Sequence, residues 1–539
     1  MPETLTSADI LARRLFDAGI RHAFGMPGGE VLSIIDALRR AGIGFVLVRH
    51  ENAGGFMAEG MHHATGAPGL LVTTVGPGAL NAVNVVENAR EDRVPMIVIT
   101  GCLDAATAQR YTHQVADQRG VFAAVAKASF TLVAEAAEVI ADRAVAAATT
   151  GQPGPVHIDL PIHVADAPAR AEPALRHRPA MPVAPARGPR LDALQAAVAG
   201  AQRPLIVAGV DALNGGAADA IRAAVETLGA PLITTYKAKG LLPEDHPLAL
   251  GGAGLSPKAD AILLPLVARA DVVILAGYDP VEMRSGWQDA VDPDRQIVID
   301  ISAVPNTHYM HQGSENIVAA IGPTLASLTA GVAPYPRWTG GEIPEVQAAL
   351  ADAFAPEAVW GPGVVIDTCR RVLPPDTRAS VDSGAHRILL SQMWRCGFPR
   401  ALIQSSGFCT MGGAVPLAIG AQIAEPERTV VSFSGDAGLL MVAGELATAA
   451  DLGLRTIFVV FVDRSLALIE MKQRSRQLPN AGVDLGRTDF ALLGRALGGA
   501  GHSVASAAEL EAALHTAMAA DTFTIIAAEI DRRAYDGRI

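Results

Sequence analysis

Two acids stand where apolar runs stop. In RTVVSFSGDAG (428–438) a strand-like run ends at Asp436, and in RTIFVVFVD (455–463) the next one ends at Asp463. An acid at the carboxyl end of each of two strands places both side chains at the crevice where open α/β sheets bind ligands. Oxygen ligands in that position suit Mg²⁺, which takes few carboxylates and completes its shell with phosphate oxygens. Gly435, Ala437 and Gly438 would let backbone N–H groups approach a diphosphate at the start of a helix expected near Leu440. Taken alone, Gly-Asp-Ala-Gly reads equally as a strand-to-helix turn with a capping acid. Glu51, in VRHENAGGFMAEG (48–60), is a third candidate, following an apolar run and opening an apolar helix. Desolvation there would raise its pKa and let it share a proton with a ring nitrogen, although an acid at a helix start is more often a dipole partner.

These side chains need a scaffold, and the text supplies an α/β one. Apolar runs such as FVLV (45–48), GLLVTT (69–74) and PMIVIT (95–100) alternate with helical patterns and read as buried parallel strands. The length of 539 residues exceeds one ordinary core and suggests about three domains. Pro-, Ala- and Arg-rich text at 164–192 reads as an extended linker, and a second loose stretch covers 331–346. The expectation is three consecutive doubly wound domains with parallel sheets, over 1–165, 190–330 and 355–539. A balance of 43 Lys+Arg against 55 Asp+Glu, without a basic block, argues against nucleic acid or an anionic membrane as partner and favours a small molecule. Cys102, Cys369, Cys396 and Cys409 have neither metal-ligand nor disulfide-framework spacing, which fits a reducing cytoplasm. The first residues form an amphipathic pattern with acids and no basic leader, and no run approaches a membrane span, so neither secretion nor insertion is expected.

The motifs PGG (27–29), RHENAGGFMAEG (49–60), GPGALN (76–81), YKAKGLLPEDHP (236–247), CTMGG (409–413) and SGDAG (434–438), in that order, resemble the acetolactate synthase branch of the thiamine diphosphate enzymes. The resemblance covers nearly the whole chain, and it names the three domains pyrimidine-binding, central and diphosphate-binding. It implies that Glu51 hydrogen-bonds N1′ of the aminopyrimidine and favours the imino tautomer that removes the thiazolium proton. It makes Met411 the wedge that bends the cofactor, where composition alone offers an ordinary core methionine. Asp436 and Asp463 become side-chain ligands of Mg²⁺, and Ser465 a backbone-carbonyl ligand. Gly384, Ala385 and His386 fall where the third domain closes over the diphosphate, while Pro27, Gly76 and Asn81 join Glu51 around the cofactor. In such enzymes Glu51 and the metal site come from different subunits, so a homodimer is the minimum and a homotetramer is expected.

Departures from the family pattern sharpen these implications. Ala437 stands for a usual Gly, a substitution tolerable at negative φ, and Asp463 stands for a usual Asn, as in the catabolic, flavin-independent acetolactate synthases. GYDPVE (277–282) replaces an Arg-containing flavin pattern, so FAD is not expected. Members that only decarboxylate carry an Asp where this chain has Gly29, a His pair where it has His113-Gln114, and a Glu where it has Ile469. With fewer proton donors the enamine formed from pyruvate should live long enough to attack a second carbonyl compound, a 2-oxo acid or an aldehyde. Gln114, beside His113, is the candidate for orienting a substrate, against the reading that the two are a turn cap and an exposed ring. Val75, where a Ser is common, leaves substrate identity open. The rivals are a related lyase, carboligase or 2-oxo acid decarboxylase with another donor or acceptor, and a non-catalytic paralogue, against which Glu51, Met411, Asp436 and Asp463 stand together.

Overall fold

A computed structural model describes residues 5–169 and 180–539 of the chain. The described residues build three six-stranded sheets, parallel throughout, with helices on both faces. The first sheet contains β1 His22–Met26, β2 Gly44–Leu47, β3 Gly69–Thr73, β4 Met96–Cys102, β5 Ala128–Thr131 and β6 Pro155–Pro161, in the order β2-β1-β3-β4-β6-β5. The second contains β7 Pro204–Ala208, β8 Leu232–Thr235, β9 Ala249–Ala253, β10 Val272–Ala276, β11 Ile297–Ser302 and β12 Glu315–Val318, in the order β12-β11-β10-β7-β8-β9. The third contains β13 Arg378–Val381, β14 Leu402–Gln404, β15 Val430–Gly435, β16 Ile457–Val462, β17 Ala500–Val504 and β18 Thr524–Glu529, in the order β14-β13-β15-β16-β18-β17. Central strands such as β3 and β16 are buried at every residue, because helices cover both faces of a parallel sheet. The FVLV run is different: β2 is an edge strand, and within it only Val46 is buried. A continuous apolar run does not by itself distinguish a central strand from an edge.

Strand order reverses between β1 and β3, between β7 and β10, and between β13 and β15, and each reversal opens a crevice at the carboxyl ends of the strands. In the central domain that crevice is a cavity of about 330 Å³ carrying Asp211, Asp279 and Asp300, with Arg93 and Gln152 reaching in from the first domain. Burial, and then the Asp279 carboxylate, push Asp211 up to about 6.

The domains are locked by contacts that composition did not reveal. Helix Glu51–Thr65 lies against helix Ala414–Ala424 at a distance set by two glycines. A Cβ on Gly60 would stand 2.0 Å from the carbonyl oxygen of Leu417, and one on Gly420 1.9 Å from that of Met57. The buried Lys237 donates to the Gln404 carbonyl oxygen at 2.9 Å and lies 3.3 Å from Asp92, joining all three domains. Arg400 does the same through His62, His63 and Asn214. The stretch 331–346 is docked rather than loose: Trp338 is buried, its indole N–H donates to the Pro204 carbonyl oxygen, and helix Glu342–Ala353 begins inside it. Pro and Gly mark irregular backbone, whereas its docking depends on residues far away in sequence. Of the linker read at 164–192, residues 170–179 lie outside the described residues, and helix Pro189–Gly200 starts within its end. All four cysteines are free thiols, and no helix among the described residues is long and apolar enough to cross a membrane.

Gly420→Ala should lower the urea midpoint by an amount equivalent to about 2 kcal/mol, because the new methyl meets backbone rather than a movable side chain. Asp211 gives a pH signature. Its folded pKa exceeds its unfolded one, so the native form holds the proton longer, and stability falls as pH rises from about 4 to about 6. Above that range the cost is constant, and below it the cost is absent. Asp211→Asn should therefore raise the thermal midpoint above pH 6, by the equivalent of about 3 kcal/mol, and leave it unchanged at pH 4.

Candidate active site

In the third domain β15 runs directly into Asp436, which is itself the first residue of helix Asp436–Met441. The helix thus starts four residues before the position expected near Leu440, because the acid opens it instead of preceding it. On the neighbouring strand of the sheet, β16 ends beside Asp463. Asp436 accepts N–H bonds from Ala437 at 2.8 Å and Arg464 at 2.7 Å, and Asp463 accepts from Ser465 at 2.9 Å, so each turn is tied to the acids it carries. Ala437 is absent from the residues with positive φ, which accommodates its methyl. Its N–H donates to Asp436 Oδ1, and Ala437 lines the same cavity as the two acids.

Among the described residues neither acid has an ion-pair partner within 4 Å. Burial, followed by the charge of Asp436, pushes Asp463 up to about 7, and burial also raises Asp436. Two desolvated carboxylates that repel each other suit a divalent cation, which removes both penalties. No third His, Cys, Asp or Glu joins them in a ligand cluster among the described residues. The other ligands would then be neutral or phosphate oxygens, the donor set Mg²⁺ prefers.

The two acids open on a cavity of about 240 Å³, lined also by Ser465, Met411, Ile469 and Gly384, Ala385 and His386. Four of its lining residues carry a buried polar atom with no partner: Ser383 Oγ, His386 Nε2, Arg387 Nε and the Tyr535 hydroxyl. An anion rich in acceptor oxygens would satisfy them, so the cavity fits a diphosphate with its metal. The His386 ring stacks on Phe461 with centroids 5.4 Å apart. Burial, and then Arg387, push His386 down to about 3, which keeps it neutral and able to donate through one nitrogen. Met411 is positioned by a residue that pattern reading passed over. Buried Asp382, at the end of β13, accepts from Gly412 N at 2.9 Å and Gly413 N at 3.1 Å. Gly438 is obligatory beside it, since a Cβ there would stand 1.9 Å from Asp382 Oδ2. The signal was present in the text, an acid closing an apolar run in RASVDSG (378–384), the pattern that marks Asp436.

The first domain gathers the remaining candidates. Glu51 is buried at the start of its helix, and Asn81 Nδ2 donates to its Oε2 at 3.0 Å. Pro27 follows β1 and is exposed, and Gly76 follows β3 with φ +60°. The Gly76 N–H donates to Gln118 Oε1 at 2.7 Å, and Gln118 is anchored in turn by Thr100, Gly101 and Asp159. Gln118 was not singled out from sequence. Gln114 and His113 are both exposed; Gln114 packs its backbone beside Gly76, whose Cβ would stand 2.8 Å from the Gln114 carbonyl oxygen. Glu445 of the third domain accepts the N–H groups of Arg49 and His50 at 3.0 and 2.9 Å, fixing the approach to Glu51. The structure thus holds two half-sites, one around Glu51 and one around Asp436. The cavity of the second is lined by third-domain residues and Arg284, with none from the first domain.

Three sequence families match in register with the three sheets. Residues 5–121 match the thiamine pyrophosphate enzyme N-terminal TPP binding domain, 191–328 the central domain, and 382–528 the C-terminal TPP binding domain. The chain belongs to the thiamine pyrophosphate enzyme family. Within this family it is acetolactate synthase-like. It is 30% identical to the acetolactate synthase isozyme 1 large subunit of Escherichia coli, over 87% of this chain and 83% of that one. It is 28% identical to the catabolic acetolactate synthase of Raoultella terrigena, over 98% and 95%. A probable 2-ketoarginine decarboxylase of Pseudomonas aeruginosa is 30% identical over 97% of this chain and 94% of its own. The protein is a thiamine diphosphate-dependent enzyme, and its two cofactor-binding domains are the first and third.

Gly438→Ala should weaken thiamine diphosphate binding at least about tenfold, because the methyl displaces Asp382 and with it the loop carrying Met411. Titration calorimetry on the metal-loaded protein measures it.

Proposed function

We propose that this thiamine diphosphate enzyme is a decarboxylating carboligase that joins a two-carbon unit from pyruvate to a second 2-oxo acid or an aldehyde, as an acetolactate synthase does. The observation that carries the reading is the Asp436–Asp463 pair facing unpartnered Ser383 and His386 across the cavity that Met411 enters. In this reading Asp436 and Asp463 hold Mg²⁺ by their side chains and Ser465 by its carbonyl oxygen. Gly384, Ala385, His386, Gly435 and Gly438 surround the diphosphate, and Met411 supports the bend between the rings. Bound thiamine diphosphate supplies a thiazolium ring that accepts the electrons released when carbon dioxide leaves. Glu51 holds a proton against the pyrimidine nitrogen while Asn81 fixes the orientation of its carboxyl group. Pro27 and Gly76 border that contact.

Glu51 and the metal pair belong to separate half-sites, which supports a homodimer in which Glu51 faces the cavity of the partner. Pairing of dimers into a tetramer completes the assembly. Carboligation over plain decarboxylation is supported by the scarcity of proton donors. A side chain on Gly29 would meet nothing within 4 Å, so that space is open, and Ile469 lines the cavity while 44% exposed. Gln114 and the adjoining His113, exposed next to Gly76, are the groups that meet the substrate. A flavin is not part of this reading. The central crevice presents Asp211, Asp279 and Asp300 against one Arg93, a field that repels a dinucleotide's diphosphate. The formal charge of −12 and the free thiols support a cytoplasmic enzyme acting on small molecules. The relative named as a 2-ketoarginine decarboxylase favours a second reading, decarboxylation of a longer 2-oxo acid with protonation of the product.

Acetolactate formed from pyruvate alone, with acetaldehyde at most a trace, is the expected outcome; acetaldehyde as main product, or turnover of another 2-oxo acid only, selects the second reading. Glu51→Gln should slow hydrogen–deuterium exchange at the cofactor's C2 by at least about 100-fold, followed by NMR of acid-quenched samples. Full turnover of pyruvate by that variant would remove Glu51 from the mechanism.

A further inference from the structure

The family match in the third domain ends at residue 528, yet the cofactor cavity does not. Beyond β18 the chain turns back, and Tyr535 enters the cavity lining from this last segment. Its ring is 1% exposed and packs between Ala385, the first residue of helix Ala385–Met393, and Ala467, the first of helix Ala467–Ser475. Its hydroxyl is buried and has no hydrogen-bond partner. The charges acting on it are those of Asp463, Asp436 and Glu357, so the phenol sits by the metal pair without bonding to either acid.

A buried, unbonded hydroxyl is costly, by more than a hydrogen bond contributes net when it forms. A tyrosine whose ring alone was needed there would be replaced without loss by phenylalanine. The first residues of two helices, Ala385 and Ala467, pack against the ring, and the first N–H groups of any helix lack partners within it. An acceptor oxygen in the cavity that Tyr535 shares with Asp436, Asp463 and His386 would satisfy the hydroxyl.

We propose that Tyr535 is a cofactor-binding residue, contributed by the C-terminal segment, whose hydroxyl donates a hydrogen bond to a diphosphate oxygen of the metal-bound cofactor. The assignment rests on the reading of this cavity as the thiamine diphosphate site. It extends that site past the matched domain, and it makes closure of the last residues part of cofactor retention.

Tyr535→Phe removes the hydroxyl and keeps the ring. Metal-loaded, cofactor-free wild type and variant are titrated by calorimetry with thiamine diphosphate and, separately, with inorganic pyrophosphate, both in excess Mg²⁺. Loss of one hydrogen bond to a charged acceptor predicts binding of both ligands weakened by about tenfold or more. Without ligand, the variant should unfold at the same temperature as wild type or higher, since an unsatisfied group has gone. Equal affinities in the two proteins overturn the proposal. So does a variant that is destabilised or does not fold, because the hydroxyl then has a structural partner. Wild type that takes up neither ligand refutes the reading of the site itself, an outcome distinct from either of these.

Discussion

Close approach of two helices sets the geometry on which every other part of the site depends. Helix Glu51–Thr65 and helix Ala414–Ala424 touch through Gly60 and Gly420, where any side chain would collide with the opposing backbone. The first of these helices begins at Glu51, and the second follows the loop that carries Met411. One rigid contact therefore fixes both half-sites of a chain relative to each other. Phe56, whose ring would stand 3.2 Å from a Cβ on Gly413, continues the contact toward the Met411 loop. Glu445 extends it further by holding the two residues before Glu51. Interiors packed at this density shift as units, so displacement of one half-site is transmitted to the other.

Electrostatics supplies the second constraint. Asp382, Asp436 and Asp463 close three neighbouring regions of the third sheet, and burial raises all three. Their compensations differ. Asp382 spends its oxygens on the N–H groups of Gly412 and Gly413 and so acts as a structural anchor. Asp436 and Asp463 accept local N–H bonds, and among the described residues neither has an ion-pair partner. A group of acids at one sheet edge thus divides into one that shapes the loop and two that open on the cavity, and the hydrogen-bond partners make the division.

The central domain contributes little to the cavity itself and much to its rigidity. Lys237 and Arg400 each tie three domains through buried polar contacts. Such contacts cost desolvation, and they tolerate few alternative arrangements. The YKAKG motif, which helped to mark the family, acts here as this brace and not as chemistry: Lys237 reaches Gln404, and Lys239 pairs with Glu244 at 2.7 Å.

Fold class and the acids at strand ends were legible in sequence, because both depend on local order. Parallel strands buried on two faces must be apolar throughout, and the residue after such a strand must lie at the sheet's carboxyl edge. Asp436 and Asp463 follow from that rule, and Asp382 satisfies it too, although its role as an anchor needed its partners to be seen. Local order could not show that β2 is an edge, that 331–346 is docked, or that Ala437 turns its N–H toward Asp436. It also could not bring Tyr535 from the chain's last residues into the cavity, nor leave Glu51 outside it. Those outcomes are contacts between segments remote in sequence, set by which surfaces are complementary once the helices have packed. Composition and periodicity determine what each segment can become; only tertiary packing decides which segments meet, because steric fit and shared hydrogen bonds are properties of pairs.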